Sequence, residues 1–374
     1  MNSGEVLYIG NFRLPDQNAA AHRVLNMGKS LRDLGFNVVY FGVGKRADPY
    51  TPLYAEGFRY YNVFSIRQRD FFREFFCISH IKQYIESNRH VRMVIAYNYP
   101  SIALGRLVRY CRKRGICIIS DCTEWYNGRG INPLKGLLMG ADSALRMRVV
   151  HKRMDGIITI SSYLHQYYSR WLPALIVPPT VDLSDEKFKQ QPKNHSCTVI
   201  VYSGNPSASK ESLNHAVECV AGMADRSIEL HIIGVTKEQY MRIYGDVPEA
   251  RNVVFFGYLS HRESLSEVAS SDYALIVRPN NRVTKAGFPT KFAEAISCGT
   301  PVIAARTSDL EKYLTGDTNG FLVEPSGLNT LFDQICSGVK TPEVKRSLFH
   351  YENYTKEIGD FLVRIGVEVC IDPK

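Results

Sequence analysis

No apolar run in these 374 residues approaches the ~20 needed to span a bilayer, so no membrane-spanning helix is expected. The opening Met1-Asn-Ser-Gly-Glu has no basic region and leads straight into Val6-Leu-Tyr-Ile, so no signal peptide is expected and a cytoplasmic location follows as the expectation. Cys-x-x-Cys pairs are absent, and the nine cysteines are odd in number and scattered. Cys117 and Cys298 lie in apolar segments, where a reduced thiol packs as a small hydrophobe. A disulfide framework or a zinc site is therefore disfavoured. The histidines form no His-Glu-x-x-His or similar spacing, so no metal is expected. No Gly-x-Gly-x-x-Gly follows the first apolar run, and Gly42-Val-Gly44 is incomplete, which argues against a dinucleotide-dependent oxidoreductase.

What is present is the balance of a soluble globular protein, 45% hydrophobic and 22% charged, at a length that suits two α/β domains. The net charge of +9 is uneven. Residues 1–180 carry 25 Lys+Arg against 12 Asp+Glu, a net +13; the rest carry 21 against 25, a net −4. A basic half of this kind suits an anionic partner, nucleic acid or an anionic membrane surface, or is a solvated face with no partner.

Short β-branched runs alternate with helical stretches, the pattern of a parallel α/β sheet. Strands are expected at Val6–Ile9, Val38–Phe41, Met93–Ala96, Ile116–Ile119 and Ile157–Ile160, with helices at Ala19–Leu34 and Ile102–Arg114. The composition changes between Pro178 and His195, which reads as a linker. A second series follows: strands at Thr198–Tyr202, Leu230–Ile233, Val253–Phe256, Ala274–Val277 and Val302–Ala304, and helices at Glu211–Met223, Arg262–Ser270 and Phe292–Cys298. Thr341–Ile365 has helix-like apolar spacing. The expected organisation is an N-terminal domain over 1–180, a linker over 181–195, a C-terminal domain over 196–350, and a helix over 351–374 returning to the first domain.

The most informative stretch is Gly287-Phe-Pro-Thr-Lys-Phe-Ala-Glu-Ala-Ile-Ser-Cys-Gly-Thr-Pro-Val-Ile-Ala304, which reads loop, helix, tight turn, strand. A helix starting near Thr290 points its free amides into the preceding loop, an arrangement that favours phosphate. Lys291 adds a charge there. Glu294 lies one turn on and on the same face, where a carboxylate could accept bonds from both hydroxyls of a ribose.

This stretch resembles the donor-site motif of retaining GT-B glycosyltransferases of family 4, the group 1 glycosyltransferases. The likeness continues in Ile200-Val-Tyr-Ser-Gly-Asn-Pro-Ser-Ala-Ser-Lys210 and Val253-Val-Phe-Phe-Gly-Tyr-Leu259. It extends to Asp155-Gly-Ile-Ile-Thr-Ile-Ser161, Val177-Pro-Pro-Thr-Val-Asp182 and Asn18-Ala-Ala-Ala-His-Arg23 ahead of Leu31–Val38. The resemblance implies the GT-B architecture, two Rossmann-like domains facing each other across a cleft. It implies that Glu294 binds ribose, that Lys210 neutralises the donor diphosphate and acts in catalysis, that Thr290 and Lys291 cap the diphosphate, and that Tyr258 lies beside the base. As a core or rim aromatic Tyr258 reads equally well.

Two departures from the family pattern stand out. The family's glutamate eight residues before Glu294 is Ala286 here, and its arginine five residues before Lys210 is Asn205. Lys285, Arg278 or Arg282 are candidates to substitute. In the first half, where the family often has a histidine, the sequence reads Ile118-Ile-Ser-Asp-Cys-Thr-Glu-Trp-Tyr126. Asp121 and Glu124 stand at the carboxyl end of a strand, where open α/β sheets place ligands. Either could orient the acceptor hydroxyl in catalysis, cap a helix, or pair with an arginine. Asn98 has similar standing one strand earlier, and Asn18 and His22 fall in the region that resembles the acceptor loop.

The implied reaction transfers a sugar from a nucleoside diphosphate to an acceptor hydroxyl with retention. No Asp-x-Asp occurs, so no metal and no cofactor beyond the nucleotide-sugar co-substrate is expected, and fixed cations and helix amides would stabilise the leaving diphosphate. The expected partners are a nucleotide sugar, a glycan or lipid-linked acceptor in cell-surface polysaccharide or glycolipid synthesis, and an anionic membrane surface met by Phe71–Ile81 and Leu134–Val150; nucleic acid is not expected. A nucleotide-sugar epimerase of the same fold and a non-catalytic sugar-nucleotide-binding partner of another transferase are the alternatives.

Overall fold

The computed structural model describes residues 4–45, 47–65, 76–126, 133–206 and 213–369. The chain divides into two units: Met1–Thr180 with Tyr351–Lys374, and Val181–His350.

The sheet of the first unit contains, among the described residues, β1 (Glu5–Gly10), β2 (Asn37–Gly44), β3 (Asp48–Ala55), β4 (Phe58–Ser65), β5 (Val91–Tyr97), β6 (Cys117–Cys122), β7 (Gly156–Thr159) and β8 (Ala174–Ile176), in the order β3-β4-β2-β1-β5-β6-β7-β8. All neighbours pair parallel except β3 with β4. Both faces are buried, as the near-continuous apolar runs predicted. Val6 and Tyr8 join one core cluster while Leu7 and Ile9 join the other, the two-residue alternation of a strand. The helix Ala19–Asp33 and the final helix Glu352–Arg364 cover the first face, placing Val24, Leu25 and Leu31 with Ile358, Phe361 and Leu362. Gly156 makes room for the last of these helices: a Cβ there would stand 2.7 Å from the Phe361 ring. Helix Ser101–Arg114 packs on the second face and ends at Gly115 in the left-handed region.

The sheet of the second unit contains, among the described residues, β9 (Thr198–Ser203), β10 (Ile228–Ile233), β11 (Val253–Gly257), β12 (Tyr273–Ile276), β13 (Val302–Ala304) and β14 (Gly320–Leu322), all parallel, in the order β11-β10-β9-β12-β13-β14. Residues 181–195, read from the sequence as a linker, start this unit. Val181 donates its amide to Phe349, Phe188 is buried, and Arg346 donates to the Phe188 carbonyl.

Strand order fixes where ligands can sit. In an open α/β sheet they bind at the carboxyl ends of the strands where the order reverses direction. That point lies between β1 and β5 in the first sheet and between β9 and β12 in the second. Of the helix read over Thr341–Ile365, only Glu352–Arg364 is α-helical; its earlier part holds a short 3₁₀ turn at Arg346–Phe349.

Candidate active site

In the second unit, strands β9, β10 and β11 are followed or ended by Gly204, Gly234 and Gly257. Gly234 has φ +99° and its Cβ, were it present, would lie 2.0 Å from the Gly204 carbonyl, so the two strand ends meet at backbone distance. No side chain can stand between these ends of β9 and β10, on one side of the switch point between β9 and β12. Asn205 follows on β9, exposed, and Arg278 follows β12, half-buried. Lys210 lies outside the described residues.

The stretch 287–304 folds as its sequence predicts. A helix runs Thr290–Cys298, Gly299 takes φ +86° at its end, and β13 follows. Pro289 precedes the first turn, and no side chain caps it. Lys291 Nζ lies 3.0 Å from Glu294 Oε2, the i, i+3 pairing the spacing requires, and Thr290 is half-exposed on the first turn. Glu294 is buried, with 5% of its surface exposed. Its other oxygen, Oε1, is 3.1 Å from Nε2 of His261. Ser260 and Glu263 form a capping box at the start of the helix His261–Ser270, and nothing in local spacing points to His261 as the partner of a residue 33 positions away.

Tyr258 is 65% exposed, on the loop between β11 and the helix His261–Ser270. Ala286 is fully buried in the short helix Arg282–Ala286, so the position that carries a glutamate in the family is part of the core here. Arg282 and Lys285 of that helix are exposed.

In the first unit, Asp121 is fully buried. Arg23 Nη2 donates to its Oδ1 at 2.7 Å and Nε reaches both oxygens, while the Tyr8 hydroxyl donates to Oδ2 at 2.6 Å. Burial, and next the Asp121 charge, hold the Tyr8 phenol well above its ordinary range, so it stays a donor. This is the arginine pair that the sequence left open beside an acceptor role for Asp121. Glu124, three residues on, is exposed.

Asn98 sits just past β5, at the switch point, with φ +43°. Its Nδ2 donates to Thr123 Oγ1 at 2.9 Å, and its buried Oδ1 has no hydrogen-bond partner among the described residues. Arg146, in the segment Leu134–Val150 expected to meet a membrane surface, donates to the Asn98 and Tyr99 carbonyls and is buried, so it does not face lipid; Arg148 is exposed. Asn18 caps the helix Ala19–Asp33 by accepting from the Ala21 amide at 3.0 Å. His22 Nε2 lies 2.7 Å from Asp16 Oδ1.

Residues 197–340 match the family described as glycosyl transferases group 1. A search of curated protein sequences found no match. Among solved structures, the fold is similar to a sucrose-phosphate synthase from Thermosynechococcus elongatus, at TM-score 0.71 and 16% identity over 97% of this chain and 99% of that one. It is also similar to HepE of Anabaena in complex with UDP-glucose, at 0.63 and 14% over 96% and 100%. A lipopolysaccharide outer core galactosyltransferase, WaaB, aligns at 0.63 and 16% over 96% and 99%. The stretch that holds Lys291 and Glu294 is thus similar to the group 1 glycosyltransferases, and the chain has the GT-B fold.

Proposed function

We propose that the chain transfers a hexose from a uridine diphosphate sugar to an acceptor hydroxyl with retention, in the synthesis of a cell-surface polysaccharide or glycolipid. The observation that carries this reading is the buried Glu294 carboxylate, one turn inside an uncapped helix start and held on the same face by Lys291. A carboxylate there accepts from ribose hydroxyls, and the helix amides face the diphosphate. Uridine is favoured because the structurally similar HepE is described in complex with UDP-glucose, and a trehalose-6-phosphate protein of E. coli with UDP-2-fluoro glucose.

In the step itself, the anomeric carbon–oxygen bond to the diphosphate breaks as the acceptor oxygen bonds to the same face. The acceptor proton passes to the leaving phosphate oxygen. Charge grows on the diphosphate, so helix amides and Lys210 stabilise the transition state more than the ground state, without a metal. Asn205 would contact the same diphosphate. In the first unit, Asn98 offers its spare buried oxygen and Glu124 its exposed carboxylate to an acceptor hydroxyl, with Asn18 and His22 shaping the loop nearby. Asp121 positions these strand ends from the core.

The acceptor is proposed to be lipid-linked, reached from an anionic membrane surface. No helix among the described residues is long and apolar enough to cross a membrane. Helix Pro133–Leu145 and the turn after it expose Leu137, Leu138, Leu145 and Val149 beside Arg148. Residues 71–75 of the other segment, Phe71–Ile81, lie outside the described residues.

A panel of nucleotide sugars, scored by the rise in melting temperature, tests the donor, since a ligand that binds only the folded state stabilises it. Stabilisation by a UDP-sugar, with acceptor-dependent turnover that survives excess EDTA, is the expected result. Donor turnover without any acceptor would favour an epimerase, binding without turnover a non-catalytic partner, and loss in EDTA restored by manganese a metal-dependent site.

A further inference from the structure

We infer that His261 is a positioning residue that holds Glu294 in the orientation needed to receive both hydroxyls of the donor's ribose, and so ties the base loop to the ribose site. The inference rests on the ribose-binding reading of Glu294 and deepens it.

The geometry is that of a carboxylate fixed from two sides. His261 Nε2 is 3.1 Å from Oε1, and Lys291 Nζ is 3.0 Å from Oε2. Each carboxylate oxygen has two lone-pair directions. Contacts on both oxygens fix the plane of the carboxylate, and two vicinal hydroxyls need such a fixed plane if one carboxylate is to meet them together. The terminal torsion of a glutamate is broad and nearly two-fold, so an untethered carboxylate samples orientations that present both oxygens poorly. Lys291 is a weak tether: its side chain is 37% exposed and flexible. The imidazole is a stiff one, 15% exposed, on the first residue of a helix fixed by the Ser260–Glu263 capping box.

That helix is itself locked to the helix of Glu294. Thr300 Oγ1 donates to the Val268 carbonyl at 2.7 Å, and the Cys298 thiol approaches the Leu265 carbonyl at 3.8 Å. His261 follows Tyr258, on the loop read as the base contact, by three residues. Base loop, imidazole and ribose carboxylate therefore form one rigid path.

Calorimetric binding of UDP and of 2′-deoxyuridine diphosphate tests this in the full chain, with His261→Ala, His261→Gln and Glu294→Ala, each checked for folding by circular dichroism. The Gln amide nitrogen falls near the place of imidazole Nε2. His261→Ala should weaken UDP binding about tenfold, the worth of roughly one charged hydrogen bond. It should also bring the UDP to deoxy-UDP affinity ratio towards one, and His261→Gln should restore much of that ratio. If Glu294→Ala lowers the ratio and folded His261→Ala leaves it at the wild-type value, the positioning role is overturned while the ribose reading stands. A ratio that Glu294→Ala does not alter overturns the ribose reading and this inference with it, as does a wild-type protein with no affinity for UDP.

Discussion

Arg23 and Asp121, 98 residues apart, form a fully buried fork, with the guanidinium Nη2 at 2.7 Å from Oδ1 and Nε at 2.9 Å from Oδ2. The same guanidinium donates from Nη1 to the Val177 and Pro178 carbonyls, so it joins helix Ala19–Asp33, the end of β6 and the last turn before the second unit. Removing one partner of such a pair leaves the other charge uncompensated in a low-dielectric core. Asp121→Ala should cost about 3–5 kcal/mol of stability, read by urea unfolding. A stable variant with lost turnover would return Asp121 to the chemistry.

Glu294→Ala should weaken donor binding at least tenfold, since hydrogen bonds to charged groups are worth roughly 1.5–3 kcal/mol each. The variant also leaves Lys291 and His261 without their shared carboxylate, so melting temperature should be followed beside calorimetry. Unchanged donor affinity would take Glu294 out of the site.

His231, on β10, gives stability a pH dependence unconnected with turnover. Its Nδ1 lies 2.6 Å from Glu267 Oε1 and its Nε2 3.1 Å from Glu229 Oε2. Burial pulls the imidazolium pKa down, but the bonds to Glu267 and Glu229 outweigh it and the net shift is upward. A raised folded pKa stabilises the protein fully below the ordinary histidine value of about 6.5 and loses that contribution as pH rises through the folded value. The melting-temperature gap between wild type and His231→Gln should therefore be widest at acid pH and narrow as pH rises. A gap that stays constant would mean that folding leaves the imidazole pKa unshifted, and a gap that shrinks at acid pH would mean that it is lowered.

Membrane docking predicts co-sedimentation with anionic vesicles at low salt, release at high salt as screening shortens the range of the attraction, and little binding to neutral vesicles. Leu137→Glu with Leu138→Glu, both on the exposed face of their helix, should abolish the binding without loss of fold. Full recovery of the wild type in the supernatant under all three conditions would leave the basic surface to some other acidic partner.

Much of the fold is legible in the chain because local rules set it. Except for β4, whose run is broken by Arg59 and Asn62, the buried strands read as apolar runs, and β13 and the Lys291–Glu294 pair appear where the sequence puts them, since helical rise alone brings residues three apart together. Strand β3 escaped because it is an edge strand, mostly exposed, and Asp48–Ala55 carries no apolar run; β8 and β14 are three residues each, too short for any period. The likeness to glycosyltransferases is legible in motif order, because helix starts, tight turns and their glycines are written in adjacent residues.

What tertiary structure alone decided is every pairing across distant elements. Asp121 could have faced solvent or an arginine at the same strand end, and only the packing of helix Ala19–Asp33 on β1 and β6 brings Arg23 to it. His261 meets Glu294 because two helices are locked side by side, and Asn98 gains its place from a strand order that reverses between β1 and β5. Sequence spacing carries the period of a helix or a strand, but which strand lies next to which is settled by burying both faces of the sheet at once, a condition on the whole unit that no local stretch contains.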